Sequence, residues 1–171
     1  MRPYLNAQND AASDCQSKLR VLEKELFFSC PLTADADSAI KYLDQLPDFI
    51  KNGEPQYGHG AYRYDFKNAQ FSQCPLVEEK SFFFFNSKKR DDSSAIFLLD
   101  ALYCFESSVD QQRQVERLKQ LFEQELKLPH KTYFDVEKNP YEQYFLPCAS
   151  FNFKTALSGK DLPFIRIQIE L

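Results

Sequence analysis

Tryptophan is absent from this chain, methionine occurs once, histidine twice and glycine four times. So few glycines leave little material for phosphate-cradling loops, which need closely spaced glycines to let the backbone approach an anion. The histidines are His59 and His130, and neither has a second histidine three or four residues away. A metal centre is not expected from them, and no cofactor loop is present. No G-x-S-x-G elbow occurs, which excludes hydrolases built on that turn. No stretch reaches the roughly 18 apolar residues of a membrane span. No Asn-x-Ser/Thr sequon occurs either.

Positive charge is also short. There are 21 Lys plus Arg against 25 Asp plus Glu, a net charge of −4. Mild acidity gives no electrostatic footprint for nucleic acid. The basic cluster Lys88-Lys89-Arg90 runs straight into Asp91-Asp92 and reads as a solvated hairpin loop. The polar start, Met1-Arg2-Pro3-Tyr4-Leu5-Asn6, lacks the apolar core of a signal peptide. A mature secreted chain behind a new initiator methionine would begin in the same way.

Five cysteines are present, Cys15, Cys30, Cys74, Cys104 and Cys148, with no C-x-x-C pair among them. That spacing argues against zinc knuckles and thioredoxin-type redox motifs. Two readings remain: buried thiols in a reducing cytoplasm, or long-range staples in a periplasmic or secreted protein. Cys30 and Cys74 each precede proline, which holds them extended at the edge of an element. They are expected to pair with one another, and Cys15 with Cys148. Cys104, within an apolar run, is expected to stay free. A Cys15–Cys30 bridge is excluded, because a helix between them would hold the two ends far apart.

What the chain does have is phenylalanine and tyrosine, 17 and 9 of them. With 43% hydrophobic and 27% charged residues over 171 positions, one folded domain with a real core is expected. Residues 1–10 read as a loose, flexible leader and 11–171 as the domain. Cys15, Leu19, Leu22 and Leu26 lie at spacings of four, three and four, one face of a helix from Ala12 to Phe28. A second helix from Asp35 or Ala36 to about Leu46 carries Ala39, Ile40, Leu43 and Leu46. Residues 52–60 hold three of the four glycines and form the main loop.

The period then changes to two. Tyr62, Tyr64 and Phe66 alternate with Arg63, Asp65 and Lys67. Phe82–Phe85, four aromatics in succession, predicts a central strand covered on both faces. Ala95–Phe105, apolar except for Asp100, fits a strand or a buried helix; the polar hairpin loop before it favours a strand, in which Asp100 shares a face with Leu98 and Leu102. Ser108 is expected to cap a helix running to Leu128, with Gln111 completing a capping box and Val115, Leu118, Phe122 and Leu126 inside. Glu123 and Lys127 form an i, i+4 pair on its outer side. Strands follow at Tyr133–Val136, within Tyr144–Ala156 and at Ile165–Leu171, with Asn139-Pro140 as a turn. The order ααβββαβββ predicts an α+β fold with an antiparallel sheet, two N-terminal helices and a central helix. Acidic secretion chaperones are similar in architecture, though in nothing finer.

His59 stands between two glycines in the main loop and could serve as a catalytic base beside a carboxylate or thiol. His130, just past a helix-ending proline, suits a cation at a helix C-terminus. Asp100, a carboxylate inside an apolar run, is a further position to watch. The tyrosines offer another role, because tyrosine buries area and keeps a polar tip. Tyr57, His59, Tyr62 and Tyr64 in and after the main loop, with Tyr141 and Tyr144 near the Asn-Pro turn, are the expected binding residues. The overall expectation is a non-catalytic protein that binds another protein, of the kind that neutralises a toxin enzyme in a bacterial envelope. A small hydrolase or transferase using His59 and a cytosolic secretion chaperone are the alternatives. The oligomeric state is not legible from sequence.

Overall fold

The computed structural model describes residues 3–31, 35–52, 61–67, 69–78, 80–90, 93–156 and 162–171. Helix α1, Pro3–Leu26, buries the expected stripe of Cys15, Leu19, Leu22 and Leu26. It begins well before Ala12, so residues 3–10, expected as a loose leader, continue the same helix. Phe28 and Ser29 then adopt left-handed backbone (φ 54° and 62°), which reverses the chain toward Cys30. Helix α2, Ala36–Leu43, is capped by Asp35, whose carboxylate accepts the Ser38 N–H at 2.9 Å. Its buried face is Ala36, Ala39 and Leu43.

Among the described residues, eight strands form one antiparallel sheet. They are β1 (Phe49–Lys51), β2 (Ala61–Phe66), β5 (Phe82–Arg90), β6 (Ser93–Cys104), β7 (His130–Phe134), β8 (Pro140–Phe145), β9 (Ser150–Ala156) and β10 (Phe164–Glu170). A small separate hairpin pairs β3 (Gln70–Phe71) with β4 (Cys74–Pro75). The order across the main sheet is β1-β2-β5-β6-β10-β9-β8-β7. The α+β class with an antiparallel sheet is as the sequence indicates. Two pieces of it were not legible. β1 is three residues long, too short to show a period. The segment Tyr144–Ala156 holds two strands, because Pro147 and Cys148 interrupt it and Leu146 N–H bonds Ala149 O at 2.8 Å to close a turn. Pro140 opens β8 instead of sitting in the turn, which is made by residues 135–139.

Helix α3, Ser108–Gln120, is capped by Ser107 and not by Ser108; the Ser107 hydroxyl accepts the Val109 N–H at 3.1 Å. The Gln111 amide, buried, donates to Phe164 O at 2.8 Å and ties α3 to β10. The helix widens into a π-helical stretch, Leu121–Glu125. Leu118 and Phe122 are buried, and Val115 and Leu126 pack partly against the core. Lys127 lies beyond the helix with left-handed φ, so it does not pair with Glu123; Glu123 accepts the Tyr144 hydroxyl at 3.0 Å.

The three helices of the described residues lie on one face of the sheet. Phe27 at the end of α1 meets Phe83 at 5.6 Å, and the Tyr103 hydroxyl donates to Leu26 O. Asp44 after α2 accepts the Tyr64 hydroxyl at 2.9 Å. Phe122 contacts Tyr144, Phe151 and Phe153 within 5.7 Å. Ile165, Ile167 and Ile169 complete this core, and the last strand β10 is interior to the sheet, between β6 and β9.

The cysteines staple this arrangement once. Cys15 in α1 is bonded to Cys148 in the β8–β9 turn, with Cα atoms 6.0 Å apart. Cys30, Cys74 and Cys104 are buried free thiols. The expected Cys30–Cys74 bridge is therefore replaced by two separate environments. Cys30 lies in the core beneath α1, its thiol pushed up to about 12 by burial and by nearby Glu23. Cys74 receives the Gln114 amide at 3.2 Å from α3.

Candidate functional site: the open face of the sheet

Alternation along each strand sends every second side chain away from the helices. Register turns these residues into rows. One row crosses seven strands, Arg63, Phe84, Asp100, Gln168, Asn152, Gln143 and Lys131. Beside it run Asp65, Phe82, Leu102, Arg166 and Lys154. On the other side lie Asn86, Leu98, Glu170, Ser150 and Phe145. Among the described residues no helix packs on this face. Phe82, Phe84, Leu98, Leu102, Phe145 and Phe164 are half-buried there.

This corrects the expectation for Phe82–Phe85. The strand is interior, hydrogen-bonded to β2 and β6, but its faces differ. Phe83 and Phe85 are buried beneath the helices, whereas Phe82 and Phe84 belong to the open face.

At the centre of the face stands Asp100, 6% exposed. Arg166 grips it with two nitrogens, Nε at 2.9 Å and Nη2 at 2.5 Å, and Gln168 adds an amide at 3.1 Å. Such a planar two-pronged pair is the strong form of a charge-assisted bond. It raises the affinity of Arg166 for its proton, chiefly through the hydrogen bond to Asp100. The apolar run that carries Asp100 is thus explained. Leu98 and Leu102 flank it on the same face, and the carboxylate is neutralised from the next strand.

Two further ion pairs mark the flanks. Arg63 Nε donates to Asp65 at 2.8 Å and its guanidinium lies 4.5 Å from the Phe82 ring; Asn52 also donates to Asp65. Lys154 donates to Asp135 at the β7–β8 turn. That contact, followed by the Asn139 N–H, lowers the Asp135 carboxyl to about 2. Three pairs on and beside this face, Arg166–Asp100, Arg63–Asp65 and Lys154–Asp135, thus balance their own charges. A hollow of about 530 Å³ at the β2 end is lined by Lys51, Asn52, Arg63, Asp65 and Glu78, of mixed sign.

The expected binding residues divide. Tyr57 and His59 lie outside the described residues, and with them the His59-based catalytic alternative. Tyr64 and Tyr144 are core residues, not surface ones. Tyr64 is held by Asp44, and Tyr144 by Glu123 and Glu142 at 3.0 Å each. Burial raises both phenols first, and the carboxylates add to it. Strand alternation points Tyr64 and Tyr144 under the helices, which their sequence position beside loops concealed. Tyr62 is half-buried against Phe85, with ring centroids 5.0 Å apart. Tyr141 stacks on Tyr133 at 5.8 Å on the open face. His130 begins β7 with its ring 5.1 Å from Tyr144, so it caps no helix.

The sequence places Leu98 and Leu102 on the face of Asp100, as the structure does, but does not show Arg166, Gln168 and Phe84 as its companions. The available signal was the alternation of Arg166, Gln168 and Glu170 with three isoleucines; what was missing was the register that sets them beside Asp100. Among the described residues no group of three or more His, Cys, Asp or Glu is placed to hold a metal ion, and no helix is long and apolar enough to cross a membrane. No family model matches this chain, and no curated protein or solved structure does.

Proposed function

We propose that this chain is a non-catalytic binding protein that captures another protein on the open face of its sheet. One observation carries the reading: an open face with six half-buried apolar side chains around a compensated Asp100–Arg166 pair, with no helix over it among the described residues. A face of this kind gains by being covered, since apolar area leaves water at about 25 cal/mol per Å². The central pair supplies register to a partner, because its outer edges stay available for polar contacts while its charges are already neutralised.

An inhibitor of the immunity type, which neutralises a toxin enzyme, needs a rigid scaffold and one such patch. The Cys15–Cys148 disulfide supports an oxidising compartment, periplasmic or secreted, over the reducing cytosol in which a secretion chaperone works. The partner is a protein and not nucleic acid, in keeping with the net charge of −4.

The test is capture from the native host with three forms of the protein. The parent chain, a Phe84→Gln/Leu98→Gln double variant, and a Val109→Gln control on the exposed side of α3 are compared. The reading expects a partner retained by the parent and the control and lost from the double variant. A partner lost only from the control would place the binding surface on the helices.

A further inference from the structure

Strand β7 forms one edge of the sheet, and all five of its residues are exposed. Its pairing shows which backbone groups are unused. Phe145 N–H donates to Pro129 O at 2.9 Å, and Asp135 N–H donates to Asn139 O at 3.0 Å. In an antiparallel ladder the direction alternates by residue. Lys131 and Tyr133 therefore also face β8, whereas His130, Thr132 and Phe134 present their N–H and C=O groups outward. Phe134 sits opposite Pro140, whose missing N–H suits a position where that pair exchanges no bonds. Beyond the backbone, Phe134 is 67% exposed and Val136 fully exposed. The opposite edge, β1, has only three residues.

From this edge we infer that β7 pairs with β7 of a second copy of this chain, antiparallel and centred on Thr132, joining the two sheets into one. The occupant is a second copy because the strand is complementary to itself in that register. Thr132 meets the second copy's Thr132 and exchanges both hydrogen bonds. His130 meets the second copy's Phe134, an aromatic pair on the helix side. Lys131 meets the second copy's Tyr133 on the open face, a cation beside a ring, and no like charges oppose one another. A two-fold axis through Thr132 makes the contact isologous and closed. Lysine on an edge strand ordinarily discourages such pairing; here each Lys131 lies against a tyrosine, which removes that obstacle. The inference is independent of the partner reading above, since it uses the edge and not the face. Its consequence for that reading is a doubled, continuous open face.

The experiment is sedimentation velocity on the full chain with its disulfide intact, from about 1 µM to about 1 mM. The parent should pass from monomer to dimer as concentration rises. Thr132→Pro removes only an outward N–H and leaves the β8 ladder whole, so it should stay monomeric with an unchanged circular dichroism spectrum. Thr132→Cys should form an intermolecular disulfide in oxidising buffer, because a hydrogen-bonded antiparallel pair sets Cα atoms about 5.5 Å apart, within disulfide reach. A parent that stays monomeric throughout overturns the inference, as does a dimer that survives Thr132→Pro. If Thr132→Pro fails to fold, the Thr132→Cys crosslink decides alone: its formation supports the pairing and its absence overturns it.

Discussion

Asp100 shows what one side chain settles. A carboxylate 6% exposed is stable in a sheet only with its charge met, and Arg166 and Gln168 meet it. Arg166→Leu should therefore destabilise the fold by about 1–3 kcal/mol, the cost of leaving a buried acceptor without its charged donor. The value is held at the lower end of what a fully buried pair would lose, because the Arg166 side chain is itself 42% exposed. Asp100→Asn should cost less, since an amide needs no counter-charge. Urea unfolding of both variants checks the order, and a greater loss for Asp100→Asn would contradict it. Asp135 carries a pH signature. Its carboxyl, ordinarily near 3.8, falls to about 2, mainly through Lys154 and then through the Asn139 N–H. A lowered folded value means stability that is present above about 3.8 and lost as pH falls toward 2. In a carboxyl NMR titration Asp135 should show a midpoint near 2, and Lys154→Ala should move it back up. A midpoint unmoved by Lys154→Ala would break the assignment.

At the level of elements, β5 makes the sharpest contrast. Phe83 is 1% exposed beneath the helices, and Phe83→Ala should cost roughly 3–5 kcal/mol. Phe84, half-buried on the open face, should cost about 1–2 kcal/mol when replaced by alanine, in proportion to the smaller area it hides. Equal losses at both positions would mean that both faces are covered. Sequence periodicity reads α1, β2 and β10 because each holds its period over five or more residues, whereas β6, a nearly unbroken apolar run, is read as a strand from the polar hairpin loop before it. It misplaced the α3 cap by one residue, since Ser107 and Ser108 offer the same hydroxyl and only backbone geometry chooses between them. It could not see the faces of Phe82–Phe85, where uninterrupted aromatics erase the alternation that would separate inside from outside. Tyr64 and Tyr144 were misread for a related reason. Tyrosine suits a surface and a core equally when a carboxylate such as Asp44 or Glu123 waits for its hydroxyl.

For the whole molecule, one disulfide links the first helix to the far end of the sheet across 133 residues. Closing so long a loop stabilises the fold by about 2–4 kcal/mol. Denatured without reductant, the chain should yield three reactive thiols, Cys30, Cys74 and Cys104, and after reduction five. Five thiols before reduction would remove both the staple and the case for an oxidising compartment. The cysteine pairing was half legible: Cys15 and Cys148 were foreseen, whereas Cys30 and Cys74 share a Cys-Pro context but not a neighbourhood.

On the proposed reading, this protein meets its partner on the helix-free face of the sheet. Hydroxyl-radical footprinting of the free and partner-bound protein, read by mass spectrometry, tests it most directly. The account predicts that oxidation of Phe84, Leu98, Leu102 and Phe164 falls several-fold in the complex while Val109 on α3 reacts as before. Protection of Val109 with the four open-face residues unchanged would contradict it.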